Sequence, residues 1–169
     1  PPRPAGPPPR PRTRCHHRRA HRGAGARPRA AAASGGGATR WDPSDGPRVL
    51  AFEDSFDVRE ILEGAGVALP YFEQRWTTVS ALESIEQSAP DVLLLDFYIP
   101  PASGLEVLRA LNEAVAEGRV ARPQYVIGMS SVGHCNRQLV AEGADCAYLK
   151  WDVGRWPHWP RGGRSGPGP

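Results

Sequence analysis

The middle of the chain alternates between short apolar runs and longer segments with apolar residues at helical spacing. Because the runs are apolar throughout and alternate with helices, they are typical of a parallel sheet covered on both faces. The predicted fold is therefore α/β, a doubly wound sheet of five strands. These strands are expected over Arg48 to Phe52, Tyr71 to Trp76, Val92 to Leu95, Tyr125 to Met129 and Cys146 to Lys150.

Helix boundaries follow from capping residues and from glycine and proline. Ser55 is expected to cap a first helix, and Thr78 or Ser80 a second helix that stops before Pro90. The third helix carries the clearest apolar stripe, formed by Leu105, Leu108, Leu111 and Val115. A short fourth helix is predicted around 136–142, with Gly143 after its end.

The two ends of the chain differ from the middle in composition and charge. Residues 1–47 form an Arg/Pro-rich tail, and residues 151–169 form a tail rich in Trp, Pro and Gly. We expect both to be disordered or irregular, because they hold few apolar side chains to offset the entropy of ordering. The folded domain is then 48–150. The tails carry net charges of +8 and +2, whereas the domain carries −7.

The Arg-rich tail invites a nucleic-acid interpretation, which we disfavour because no aromatic residues are interleaved with the arginines. The stretch CHHRRAH (15–21) offers zinc ligands but lacks a second ligand pair at finger spacing. The chain has three cysteines, an odd number that argues against a disulfide framework and predicts a reducing, cytoplasmic setting. No apolar run approaches the ~20 residues that a membrane span needs, so no membrane contact is expected.

Acidic and other polar residues stand where four of the predicted strands end. Glu53 and Asp54 follow the first strand, Asp96 the third, Ser130 the fourth, and Lys150 ends the fifth. The carboxyl ends of parallel strands share one edge, where ligands bind in such sheets. An all-oxygen acidic group suits Mg²⁺, and Mg²⁺ beside an ammonium suits phosphoryl transfer, with Asp96 as nucleophile. Lys150 is the only lysine in the chain.

The segments RVLAFEDSFDVRE (48–60), PDVLLLDFYIPPASGLEVLRAL (90–111), YVIGMSS (125–131) and EGADCAYLK (142–150) resemble a response-regulator receiver domain of the CheY-like kind. The resemblance implies a flavodoxin-like sheet of order 2-1-3-4-5. It also implies a signalling domain of a two-component phosphorelay that is not an enzyme, although it assists its own phosphorylation and dephosphorylation. The implied partners are a histidine kinase or phosphotransfer protein and an unknown downstream protein.

The resemblance also assigns roles to the residues at the strand ends. Asp96 matches the phosphoacceptor, and it binds Mg²⁺ together with Glu53, Asp54 and the backbone carbonyl of Tyr98. The side chains of Ser130 and Lys150 match those that contact the phosphoryl group.

The sequence departs from the family pattern after the fourth strand. The family's switch aromatic would stand at Ala147. The candidate for this role here is Tyr148, one place along, which faces the other side of a regular strand. Trp151 replaces the usual proline after Lys150. No helical stripe follows, so the fifth helix is predicted to be missing or irregular.

Without that helix, apolar surface near the first and fifth strands is expected to be exposed. A flap formed by Trp151, Trp156 and Trp159 is the alternative.

Other functions remain as alternatives at this point. A degenerate pseudo-receiver would serve as a protein-binding scaffold. A phosphatase is disfavoured because Tyr98 stands where that class carries a second carboxylate. A DNA-binding output module is disfavoured because nineteen residues follow Lys150. His134 and Cys135 are interpreted as an exposed loop pair.

Overall fold

The computed structural model describes Trp41 and residues 45–162. The CHHRRAH stretch, most of the predicted N-terminal tail and residues 163–169 lie outside the described residues. Among the residues that are described, no helix combines the length and apolar composition needed to cross a membrane.

Five parallel strands form one sheet in the order β2-β1-β3-β4-β5, as the resemblance implies. The strands are β1 (Arg48–Phe52), β2 (Tyr71–Arg75), β3 (Val92–Leu95), β4 (Tyr125–Ser130) and β5 (Cys146–Leu149). The helices are α1 (Val58–Gly64), α2 (Ala81–Ser88), α3 (Gly104–Ala116) and α4 (Gly133–Glu142), and a 3-10 helix covers Lys150–Arg155. The predicted strands are confirmed to within one residue at either end.

Successive side chains of the central strands β1 and β3 enter two different apolar clusters, one on each face of the sheet. Leu50 and Leu93 point into the cluster that contains residues of α2, α3 and α4. Val49 and Leu94 point into the other cluster, with residues of α1 and of the chain after β5. Because both faces are covered, every strand residue of β3 is buried, which explains its unbroken apolar run.

Two of the predicted helix starts differ from the structure. Asp57, not Ser55, caps α1, and its carboxylate accepts a hydrogen bond from the amide of Glu60 at 3.2 Å. Ser80 precedes α2 but has a left-handed backbone (φ 52°) and makes no side-chain cap. The hydroxyl of Thr78 instead bonds the backbone of Ala102, so that the start of α2 is tied to the loop before α3.

The chain after β5, which we call the C-terminal segment (150–162), is irregular yet packed. After its 3-10 helix, Trp156 and Trp159 are buried, with exposures of 0% and 4%. The Trp159 indole N–H donates to the carbonyl of Val153 at 2.8 Å. This segment covers the face near α1, so the prediction that this face is exposed is wrong. The alternative of a tryptophan flap holds for Trp156 and Trp159 but not for Trp151, which is 58% exposed.

Candidate functional site

Three carboxylates converge at the carboxyl edge of the sheet. Glu53 and Asp54 follow β1, and Asp96 follows β3, its strand neighbour. Each offers an oxygen, and these three oxygens lie within 4.8 Å of one another. Glu53 and Asp96 are buried, while Asp54 is half-buried. The sequence expectation that these acids meet at one edge therefore agrees with the structure.

Lys150 brings the only positive charge among these four side chains. Its ammonium lies 2.7 Å from Glu53 Oε2 and 3.6 Å from Asp96 Oδ2. The lysine side chain is 5% exposed, so this ion-paired group is nearly removed from water. Three carboxylates and one ammonium leave an excess of negative charge when all four are ionised, which a cation can neutralise. The oxygen donors fit a hard ion such as Mg²⁺.

Burial and charge act in opposite directions on the phosphoacceptor candidate. Burial raises the pKa of the Asp96 carboxyl above its ordinary value, and the neighbouring Glu53 raises it further. The positive charge of Lys150 and a hydrogen bond from the backbone of Phe97 lower it in part. Because burial dominates, the ionised form of Asp96 is costly in the metal-free protein.

Backbone amides and one side-chain amide hold the loop between β1 and α1. Glu53 Oε1 accepts hydrogen bonds from the amides of Ser55 and Phe56 at 2.9 and 3.1 Å. The Gln74 side chain donates to the carbonyls of Glu53 and Phe56 and accepts from the amide of Val58. The sequence pattern did not identify Gln74 as a residue that supports the site, although a side-chain amide at a half-buried position of β2 needs hydrogen-bond partners.

The loop after β3 is held against the start of α3. The amide of Gly104 donates to the carbonyl of Phe97 at 3.1 Å. A Cβ atom at Gly104 would lie 2.0 Å from the backbone oxygen of Asp96, so only glycine fits there. This close approach explains why glycine stands at position 104, where the loop after Asp96 meets the start of α3.

The remaining predicted site residues occupy the same edge with differing contacts. Ser130 ends β4, beside β3, and its buried hydroxyl accepts from the amide of Val132 at 3.3 Å. Tyr98 lies two residues after Asp96 with its side chain 59% exposed. Metal binding by the Tyr98 backbone carbonyl remains a prediction. The roles of the other site residues in binding metal and phosphate also remain predictions.

Tyr98 makes a contact that the sequence did not suggest. The Cys135 thiol donates to its hydroxyl at 3.4 Å. The pKa of the Tyr98 phenol is raised, chiefly by its interaction with Cys135. Cys135 and His134 lie in α4, and Cys135 is fully buried. His134 is exposed, as predicted, but the interpretation of the two residues as a loop pair is wrong, because α4 begins earlier than expected, at Gly133, and Cys135 is buried.

Tyr148 and Ala147 point to opposite faces of the sheet, as the sequence predicts. Tyr148 packs against the apolar cluster that contains α1. A Cβ at Gly128 would meet both Ala147 and Leu139 of α4, so Ala147 lies on the α4 face. Tyr148 is thus not on the side where the resemblance expects a switch aromatic.

Two exposed aromatic rings next to the lysine were also missed. The Phe56 ring centroid lies 4.9 Å from the Lys150 ammonium and 4.7 Å from the Trp151 ring, at an interplanar angle of 85°. Sequence pattern gave no signal for this contact, because Phe56 lies in the loop after β1 and Trp151 in the 3-10 helix after β5, almost the whole domain apart in sequence.

Sequence comparison finds relatives that share part of their length with this chain. No family model matches the sequence. The chain is similar to protein-glutamate methylesterase/protein-glutamine glutaminase 5 of Myxococcus xanthus, at 34% identity over 97 residues, which cover 56% of this chain and 26% of the relative. It is also similar to the transcriptional regulatory protein CitT of Halalkalibacterium halodurans, at 38% identity over 71 residues, covering 39% and 31%. The chain thus spans about a third or less of these curated relatives.

Structure comparison gives the fold. The signal receiver domain of NarL from Mycobacterium tuberculosis matches with a TM-score of 0.50 and 24% identity, over 66% of this chain and 89% of that domain. The strand order and the helices around the sheet agree with this match. The described part of the chain has the fold of a response-regulator receiver domain, and the resemblance found in the sequence is confirmed for the fold.

Proposed function

We propose that this domain accepts a phosphoryl group on Asp96 in a two-component phosphorelay. The donor is the phosphohistidine of a histidine kinase or of a phosphotransfer protein. The observation that carries the proposal is the buried Lys150 ammonium, 2.7 Å from Glu53 and 3.6 Å from Asp96, at the edge where three carboxylates meet. Such a group of charges is costly for stability and suits the stabilisation of a transferred phosphoryl group.

In the proposed reaction, one oxygen of the Asp96 carboxylate attacks phosphorus. The bond from phosphorus to the donor's imidazole nitrogen breaks, and the nitrogen keeps the electron pair. The ammonium of Lys150 and the hydroxyl of Ser130 hydrogen-bond the phosphoryl oxygens on Asp96. Glu53, Asp54 and Asp96, with the Tyr98 carbonyl, would hold Mg²⁺, which neutralises negative charge between the carboxylates and the phosphoryl group.

This role is that of a signalling module, and its output partner is a further protein of unknown identity. The phosphorylated state is proposed to shift a two-state surface that this partner reads. The second candidate is a pseudo-receiver that acts as a binding scaffold without phosphorylation. It is favoured by Ala147 at the expected aromatic position and by Tyr148 on the opposite face.

Incubation with Mg²⁺ and acetyl phosphate tests the proposal directly. We expect intact-protein mass spectrometry to show one added phosphoryl group, lost in Asp96→Asn and in samples treated with a chelator. Asp91→Asn is the matched control, because Asp91 lies at the opposite end of β3 and accepts from the amide of Arg48 at 2.9 Å. An unchanged mass of the wild-type protein would favour the pseudo-receiver.

A further inference from the structure

We infer that Phe56 is a positioning residue for Lys150, whose ring holds the ammonium in reach of Asp96. The inference deepens the proposed function and rests on it. The resemblance assigns no role to Phe56, and Trp151, which supports the ring, is itself a departure from the family pattern. The juxtaposition of these two rings with the lysine is therefore a feature of this chain.

The ammonium of Lys150 has three neighbours that together define its place. Glu53 Oε2 is 2.7 Å away, Asp96 Oδ2 is 3.6 Å away, and the Phe56 ring centroid is 4.9 Å away. A cation within about 6 Å of a ring centroid is attracted by the negative face of the ring. The ring therefore adds a third attraction to those of the two carboxylates.

Both backbone polar groups of Phe56 are hydrogen-bonded. Its amide donates to Glu53 Oε1 at 3.1 Å, and its carbonyl accepts from the Gln74 side chain at 2.8 Å. Trp151, the residue after Lys150, packs edge-on against the ring. Glu53 thus pairs with the Lys150 ammonium through Oε2 and accepts the hydrogen bond of the Phe56 amide through Oε1.

The exposure of these side chains agrees with a covering role. Phe56 is 39% and Trp151 58% exposed, whereas the lysine side chain between them and the acids is 5% exposed. The Phe56 ring lies over the ammonium, which sits on a stem whose rotatable bonds would otherwise let it move, and Trp151 packs against that ring.

A ring is suited to this task because it attracts the cation without taking its hydrogen bonds. A carboxylate at the position of the Phe56 ring would compete with a phosphoryl oxygen for the ammonium protons. The ammonium lies nearer to Glu53 than to Asp96, and the ring is its one neighbour among these three that accepts no N–H hydrogen bond from it. The ring therefore keeps the donor groups of Lys150 available toward Asp96.

Lysine-selective isotope labelling tests the contact without any activity, because Lys150 is the only lysine and gives one set of side-chain signals. We expect the ε-proton resonances of the wild-type protein to be shifted upfield by the ring of Phe56. Phe56→Tyr should keep the shift and Phe56→Leu should remove it. Signals that are the same in Phe56→Leu and wild type would overturn the inference. Phe56→Met serves if Phe56→Leu does not fold.

Tyr71→Leu is the matched control. Tyr71 is another exposed ring with a cation near its face, the Arg48 guanidinium at 5.9 Å, but it lies at the start of β2. Its replacement should leave the Lys150 signals and the phosphorylation rate unchanged. A change as large as that of Phe56→Leu would show a general loss of structure and overturn the assignment to Phe56.

Phosphorylation by acetyl phosphate at saturating Mg²⁺ then tests the consequence. We expect Phe56→Leu to lower the maximal rate roughly threefold to tenfold, in line with cation–π energies, and Phe56→Tyr to restore it. If the wild type is phosphorylated and Phe56→Leu reacts equally fast, the positioning role is wrong. If the wild type is not phosphorylated at all, the proposed function fails, and the labelled-lysine spectra still decide whether the ring holds the ammonium.

Discussion

Two regions that meet at Lys150 bury opposite kinds of side chain. The acidic edge buries Glu53, Asp96 and the lysine itself, whereas the C-terminal segment buries Trp156 and Trp159. Burial of charge costs free energy that pairing returns only in part, while burial of an aromatic side chain is favourable. The C-terminal segment therefore stabilises the fold, whereas the buried charges at the acidic edge lower its stability.

The C-terminal segment also shows that covering a sheet face does not require a regular helix. Trp156 packs against Tyr125 of β4 at 4.9 Å and against Trp159 at 4.9 Å between ring centroids. Trp41 adds a further ring 6.2 Å from Trp156. Large aromatic side chains bury much area per residue, so a short irregular segment suffices.

The largest effect on stability is expected at Trp156. Trp156→Ala should lower the free energy of unfolding by about 3–5 kcal/mol, because it opens a cavity at a fully buried side chain that packs against several other rings. Urea denaturation followed by circular dichroism measures this loss. Trp151→Ala is the control and should cost under about 0.5 kcal/mol, since Trp151 is mostly exposed. Equal losses for both variants would contradict the distinction between the two regions.

An effect of the opposite sign is expected at the acidic edge. Asp96→Asn should raise the urea midpoint at pH 7 in chelating buffer, because burial makes the ionised carboxyl costly and raises its pKa. A raised pKa means that the folded protein binds the proton more tightly than the unfolded chain. Stability of the wild type is therefore lost as pH rises from the ordinary aspartate pKa through the raised one.

The gain of Asp96→Asn should thus be present at pH 7 and shrink as the pH is lowered toward 4. Asp145→Asn provides the matched control. Asp145 pairs with Arg122 at 2.8 Å and accepts from the amide of Val126, so its replacement should lower the midpoint. A lower midpoint for Asp96→Asn at pH 7 would contradict the view that the edge consumes stability.

The smallest effect concerns an exposed carboxylate near the same edge. Ser103 and Glu106 form a capping box at the start of α3. Ser103→Ala should cost about 1 kcal/mol, measured by thermal or urea denaturation.

Hydrogen bonds from Ser103 lower the pKa of the Glu106 carboxyl, so its contribution is present above the ordinary glutamate pKa and is lost as pH falls through the lowered one. The pH dependence of Glu106→Gln relative to wild type therefore has the sign opposite to that of Asp96→Asn. A pH dependence of the same sign in both variants would show that burial does not cause the difference in pKa between Asp96 and Glu106.

The apolar runs and the residues after them determined the sheet and the positions of the acids. Val92 to Leu95 could be recognised as a strand buried on both faces, and Asp96 as the group it places at the edge. Such features are local, because strand period, burial and the shared edge of parallel strands follow from consecutive residues. The same holds for the α3 stripe and for Gly143 after α4.

Tertiary structure alone decided the packing of the C-terminal segment and the contact of Phe56 with Lys150. Neither Trp156 nor Phe56 belongs to a periodic pattern, and each packs against a residue far away in sequence, Tyr125 and Lys150 respectively. The start of α1 at Asp57 likewise depends on Gln74, which bonds the loop before it from a neighbouring strand. Local sequence encodes which residues can form an element, whereas contacts between loops depend on free energies of the whole packed domain.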